Sequence, residues 1–248
     1  MKKILSIALC AAAVSAFGAA TEVDLGDVGV TAITSTSRQT VFAVSYDELA
    51  GADGMSVSNL VKTANLTAGD LLAVFNGTTY DTWVLQDKAG VKTWGKNDKT
   101  FVVNANGQLV EGQGNSAAET KMDVGAGVWL VRNADYVSGT PFTFYVYGKP
   151  VENPVFTVPA GKAVLFGNPL QTPATPMVSG MENGDAISIP REGLPPMMYT
   201  YNTTKSAWRY QNESGAFVSG LPEFKAGVGC WYKAKAVGGN RTIQWGAK

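Results

Sequence analysis

Short apolar or alternating runs, each cut off by Gly, Pro, Asn or Asp, fill this chain, and they limit it to strands and turns. Examples are Val41 to Val44, Leu71 to Phe75, Phe101 to Val103, Val128 to Val131 and Phe142 to Tyr147. The second half continues with Ala163 to Phe166, Ala186 to Ile189, Met198 to Tyr201, Ala207 to Tyr210, Gly229 to Tyr232 and Thr242 to Trp245. Few of these are long enough to close an amphipathic helix. Asn76-Gly77 lies between two runs as a hairpin turn would, and Asn106-Gly107 follows Phe101 to Val103 in the same way. In Phe142 to Tyr147, Phe142 and Phe144 fall on one face and Tyr145 and Tyr147 on the other, the pattern of a strand covered on both sides. The best helix candidate is the stretch Asp47 to Ala64, where Ser56 is placed to cap Val57 to Thr63.

The chain repeats itself once. Gly125-Ala126-Gly127-Val128-Trp129 matches Gly227-Val228-Gly229-Cys230-Trp231 in type and spacing. Upstream, Gly69-Asp70 followed by an apolar run matches Gly184-Asp185 followed by another. A hairpin rich in Tyr, Asn and Thr then leads to Trp83 or Trp94 in the first copy and to Trp208 in the second. Between the copies, Lys149-Pro150-Val151-Glu152-Asn153-Pro154 has two prolines that resist strand continuation. The expectation is an all-β protein: a signal peptide (1–20), a first β-domain (21–149) and a second (150–248), each a β-sandwich or barrel-like unit.

This order of motifs resembles tandem repeats in uncharacterised secreted and surface proteins of the Planctomycetes–Verrucomicrobia–Lentisphaerae group of bacteria. There, a segment like Leu165-Phe166-Gly167-Asn168-Pro169 begins each unit; here the first copy has Val41-Phe42-Ala43-Val44-Ser45 in its place. The resemblance implies no assigned chemistry. Many such proteins end in an apolar sorting tail with a basic end. This chain ends at Trp245-Gly246-Ala247-Lys248, so a released or periplasmic product is expected rather than an anchored one.

The N-terminus carries the expectation of export. Met1-Lys2-Lys3 is a positive n-region, Ile4 to Val14 is apolar apart from Ser6, and small residues cluster from Ser15 to Ala20. The apolar run is shorter than the roughly 20 residues a bilayer span needs. Leu9 before Cys10 is too large for lipoprotein processing. After cleavage, 18 basic and 20 acidic residues remain, a balance with no electrostatic footprint for nucleic acid. Cys230 is then the one cysteine, so no intramolecular disulfide forms, and a buried thiol is expected.

The 248 residues include no histidine. Ser-His-Asp and Cys-His nucleophilic catalysis are therefore excluded, as are nearly all zinc, copper and non-haem iron sites. Asp70 and Asp185 are the carboxylate pair to weigh for glycoside hydrolysis; following Gly at strand starts, they read better as turn residues. The acidic loops Asp24 to Asp27 and Asp47 to Gly54 lack the ligand alternation of a dedicated calcium loop. The paired glycines before Trp129 and Trp231 precede strands, so they serve a bulge or tight turn rather than a phosphate cradle. Trp129 and Trp231 are expected in the core. Trp83, Trp94 and Trp208, near hairpin tips or strand ends, are the candidate ligand-stacking aromatics.

The residues thus point to a secreted, non-enzymatic protein without cofactor or metal, with a structural, adhesive or ligand-binding role. The alternative is a secreted carbohydrate-active protein, either a glycan-binding module or a carboxylate-dependent glycoside hydrolase. The expected partner is an extracellular glycan or another envelope protein.

Overall fold

The structure is a computed structural model that describes residues 28–49, 54–60, 66–76, 80–96, 101–103, 109–111, 120–191 and 194–246. The expected signal peptide lies outside the described residues. The first half carries β1 (Gly29–Ser35), β2 (Gln39–Ala43), β3 (Tyr46–Asp47), β4 (Met55–Ser56), helix α1 (Val57–Leu60), β5 (Leu71–Phe75) and β6 (Tyr80–Lys88). It continues with β7 (Val91–Lys96), β8 (Phe101–Val103), β9 (Leu109–Glu111), β10 (Lys121–Met122), β11 (Gly127–Val131) and β12 (Phe142–Pro150). The second half carries β13 (Val155–Val158), β14 (Ala163–Gly167), β15 (Met177–Ser179), β16 (Ala186–Arg191) and β17 (Leu194–Asn202). It ends with β18 (Ala207–Gln211), β19 (Phe217–Ser219), β20 (Gly229–Lys233) and β21 (Arg241–Gln244). The chain is all-β, and its strands pair antiparallel.

The two halves follow one wiring plan. A sheet of order β2-β11-β5-β6-β7 in the first corresponds to β14-β20-β16-β17-β18 in the second, which adds β19. A three-stranded sheet β1-β12-β3 corresponds to β13-β21-β15. Even the register corresponds: Trp129 sits opposite Val41 and Gly127 opposite Ala43, as Trp231 sits opposite Leu165 and Gly229 opposite Gly167.

In each half the inward residues of both sheets meet in one core, because strand side chains alternate in direction. In the first, Phe144 and Val146 of β12 join Phe42, Leu72, Trp83 and Leu130. Phe42 and Phe144 meet edge to face at 5.0 Å. In the second, Phe156 and Ile243 join Phe166, Ile187, Trp208 and Tyr232. Cys230 is fully buried in this core, and burial pushes its thiol well up. Of the strand expected to be covered on both sides, Phe144, Val146 and Tyr147 are buried and Tyr145 is half-buried.

One expectation changes and another is met as far as it can be followed. Val57 to Leu60 are helical, and 61–63 of the expected helix lie outside the described residues. The link between halves is shorter than 149–154. Lys149 and Pro150 still pair with Asp47 and Tyr46, so only 151–154 separate β12 from β13. Pro150 is tolerated because it is the last residue of its strand.

The halves join by a reciprocal contact. The Ala43 N–H donates to the Gly227 carbonyl at 2.9 Å, and at the equivalent place the Gly167 N–H donates to the Gly125 carbonyl at 3.1 Å. Isolated bridges Phe42–Val228 and Ala126–Phe166 accompany them. Each surface contributes the same two patches, an isologous arrangement within a single chain. The approach depends on missing side chains. A Cβ on Gly127 would lie 2.6 Å from the Leu165 carbonyl carbon, and one on Gly229 would lie 2.5 Å from Cγ1 of Val41. Neither glycine has a positive φ, so space and not backbone conformation demands it.

Gly127→Ala and Gly229→Ala are each expected to destabilise the protein by about 1–3 kcal/mol, the usual range for overpacking. Urea titration checks this; an unchanged midpoint in both variants would contradict the close contact.

Candidate functional site

The two Gly-Asp turns are the most strongly constrained polar sites among the described residues. Gly69 and Gly184 have φ of 91° and 84°, the left-handed third position of a four-residue turn. The turns close by Asp70 N–H to Thr67 carbonyl and Asp185 N–H to Glu182 carbonyl, both at 3.0 Å. The carboxylate then reaches back to the first residue of its turn: Asp70 Oδ2 accepts from Thr67 N–H at 2.8 Å, and Asp185 Oδ2 from Glu182 N–H at 3.0 Å. The other oxygen fastens the strand end that follows the Trp: Asp70 Oδ1 accepts from Asn133 N–H at 2.8 Å, and Asp185 Oδ1 from Lys235 N–H at 2.7 Å.

Each carboxylate is fully buried and meets a buried arginine. Arg132 Nε lies 3.0 Å from Asp70, and its guanidinium sits 4.5 Å above the Phe142 ring. Arg241 clamps both oxygens of Asp185, Nε at 2.7 Å and Nη2 at 3.1 Å, and Tyr232 Oη adds a bond at 3.0 Å. The two arginines come from different places: Arg132 directly after β11, Arg241 at the start of β21. The anion keeps its position while the cation does not. Burial alone would raise the Asp185 pKa, but the bonds from Arg241, Lys235, Glu182 and Tyr232 outweigh it and hold it low.

The acidic loop around Asp47 is likewise occupied. Asp47 Oδ1 accepts from Gly54 N–H at 2.8 Å. Glu48 accepts from Ser56 N–H at 2.9 Å and pairs with Lys121 at 2.6 Å. Burial opposes its ionisation, yet the bonds from Lys121, Ser56 and Asn59 lower its pKa to about 2. Asp24, Asp27 and Asp53 lie outside the described residues. Among the described residues no cluster of three or more His, Cys, Asp or Glu is placed to hold a metal ion.

The tryptophans exchange roles. Trp83, Trp94 and Trp208 are 0%, 6% and 7% exposed and point into the two cores, which removes them as stacking platforms. Their strands place them on the inner face, where hairpin proximity counts for nothing. Trp129 and Trp231 are half-buried and belong to neither core; they meet each other at 6.3 Å across the junction of the halves. Tyr80 joins them, its ring 5.7 Å from that of Trp231. Its hydroxyl accepts the Leu165 N–H at 2.7 Å, and burial pushes its pKa up to about 12.

One surface escaped the sequence reading. On the second sheet, Met198, Thr200, Arg209, Gln211 and Phe217 project from β17, β18 and β19 and line a cleft of about 420 Å³ with Asn202. Met198 and Phe217 are 52% and 61% exposed. The signal was available: the exposed partners alternate with the buried Tyr199 and Trp208 along their strands.

Asp185→Asn is expected to cost about 3–5 kcal/mol, because it strands the Arg241 charge in the core. Both Asp185 and Glu48 have lowered pKa values, so their stabilisation is complete above about pH 4.5 and is lost as the pH falls. For Glu48 the loss spans pH 4.5 to about 2, and Glu48→Gln should flatten an acid titration of stability in that window. A slope identical to that of the unsubstituted protein would refute the assignment. Compared with known proteins, the chain matches no family model, and no curated protein aligns with it.

Proposed function

We propose that the chain is an exported, non-enzymatic β-repeat protein with an adhesive, structural or ligand-binding role. We read its halves as two tandem copies of one β-sandwich domain after a cleaved signal peptide. The shared strand order and register support the duplication. The family resemblance to secreted bacterial repeat proteins belongs to the same reading.

One observation carries the non-enzymatic part. The carboxylates at equivalent positions, Asp70 and Asp185, are both buried and both saturated by backbone N–H groups and arginine. A glycosidase needs one carboxyl group free to donate a proton and a second facing the sugar across a groove. Here the pair is spent on folding. The cleft on the outer face of β17 to β19 favours, as a second reading, the binding half of the carbohydrate alternative over the hydrolytic half.

The test pairs retention with turnover. Purified protein is incubated with a panel of polysaccharides and an envelope fraction, and both bound protein and new reducing ends are measured. Binding without release of reducing ends is expected. Release that disappears in a carboxylate-to-amide variant retaining the native far-UV spectrum would overturn the reading.

A further inference from the structure

We infer that the outer face of β16 to β19 is a binding site for an acidic polysaccharide, one carrying carboxylate or sulfate groups. The inference rests on the ligand-binding reading above.

The strand register defines the surface. One row across the sheet reads Lys233, Ala186, Thr200, Arg209 and Ser219. In the next, Ser188 lies opposite Met198, and Gln211 opposite Phe217. The floor between the long side chains is therefore made of small or hydroxyl residues, Ala186, Ser188 and Thr200. Exposed Lys233 and half-buried Arg209 stand on the same row three strands apart, about 14 Å at the usual strand spacing.

Arg209 is the anchor. Its guanidinium lies 4.2 Å from the centre of the Phe217 ring, and among the described residues no carboxylate pairs with it. Stacking on a ring fixes the guanidinium plane while leaving its in-plane N–H donors open, the geometry that takes a carboxylate or sulfate in two parallel bonds. By contrast, Arg132 and Arg241 already have their anions.

The rest of the cleft suits sugar. Thr200, Gln211 and Asn202 offer donors and acceptors matched to hydroxyl groups, while Met198 supplies an apolar contact for a ring face. An adjoining cleft of about 560 Å³ shares Met198, Tyr210 and Gln211 and is lined by Arg191 and Glu213, so binding room extends beyond one residue of a polymer while the net cation excess stays at Arg209 and Lys233. A peptide would want enclosed apolar pockets for its anchor side chains, whereas this open cleft mixes polar groups with the exposed Met198 and Phe217. The cations answer the charge of an acidic chain.

The test is affinity electrophoresis of the intact protein through gels containing polygalacturonate, dextran sulfate or neutral dextran, with poly-glutamate as the peptide control. Retardation by at least one acidic polysaccharide, and not by neutral dextran, is expected. Arg209→Gln should weaken it about tenfold, the value of one charge-assisted contact. Lys162→Gln, in the turn between β13 and β14, should leave it unchanged. Thermal melts of both variants establish that the fold is intact. Phe217→Ala, which frees the guanidinium, should weaken binding in the same direction.

Equal loss in Lys162→Gln would mean bulk charge and overturn the site. Equal, Arg209-dependent retardation by poly-glutamate would overturn the sugar assignment. Binding to neutral dextran unaffected by Arg209→Gln would overturn this inference while leaving glycan binding standing. Capture of an envelope protein with no polysaccharide retained would overturn it while leaving the adhesive reading intact.

Discussion

Backbone meets backbone at the junction of the two halves, and much else follows from that contact. With no Cβ on Gly127, Gly167 or Gly229, β11, β14 and β20 approach closely enough for main-chain groups to bond across the junction. The same approach turns Trp129 and Trp231 from outward strand residues into an edge-to-face pair. It also brings Tyr80 of the first half to the Leu165 N–H of the second. The strands at the junction are the inner ends of the large sheets. Their outer ends, β7 in one half and β19 in the other, are left away from it.

Within each half, a single carboxylate does the work that a disulfide does in many exported domains. Asp70 and Asp185 each tie a turn to itself and to a strand end far along the chain, with 62 and 56 residues separating anion and arginine. A charge so placed is costly to bury, and full satisfaction of its lone pairs is what makes it tolerable. At Asp185 the arrangement is sensitive to acid, and in neither half does it respond to reductant. It also gives equivalent acids in both halves a shared structural task.

The strands are readable in the sequence because they rest on local pattern. Leu71 to Phe75 is a strand with those bounds, and Phe101 to Val103 is strand throughout. The Gly-Asp and Gly-x-Gly-x-Trp motifs occupy equivalent places. Strands whose alternation is carried by Thr and Ser, such as β1, gave no apolar run to notice. The tryptophans were misplaced for a different reason. Parity along a strand fixes that Trp83 and Leu85 share a face, but which face is inside depends on the sheet opposite. The arginine partners are invisible for the same cause: Arg132 and Arg241 occupy unrelated positions in the two halves, and only the fold brings each to its own carboxylate, Asp70 and Asp185.

The short connection between the halves changes the energetics of their contact. Residues 151–154 hold the two surfaces at an effective concentration in the millimolar range or above. A contact far too weak to hold separate molecules together at cellular concentrations is then nearly always closed. Because the backbone bonds of the contact are reciprocal, severing the chain in that segment would leave each piece with a surface able to pair with its own kind. The tether, more than the strength of the contact, is what makes the assembly count to two and stop.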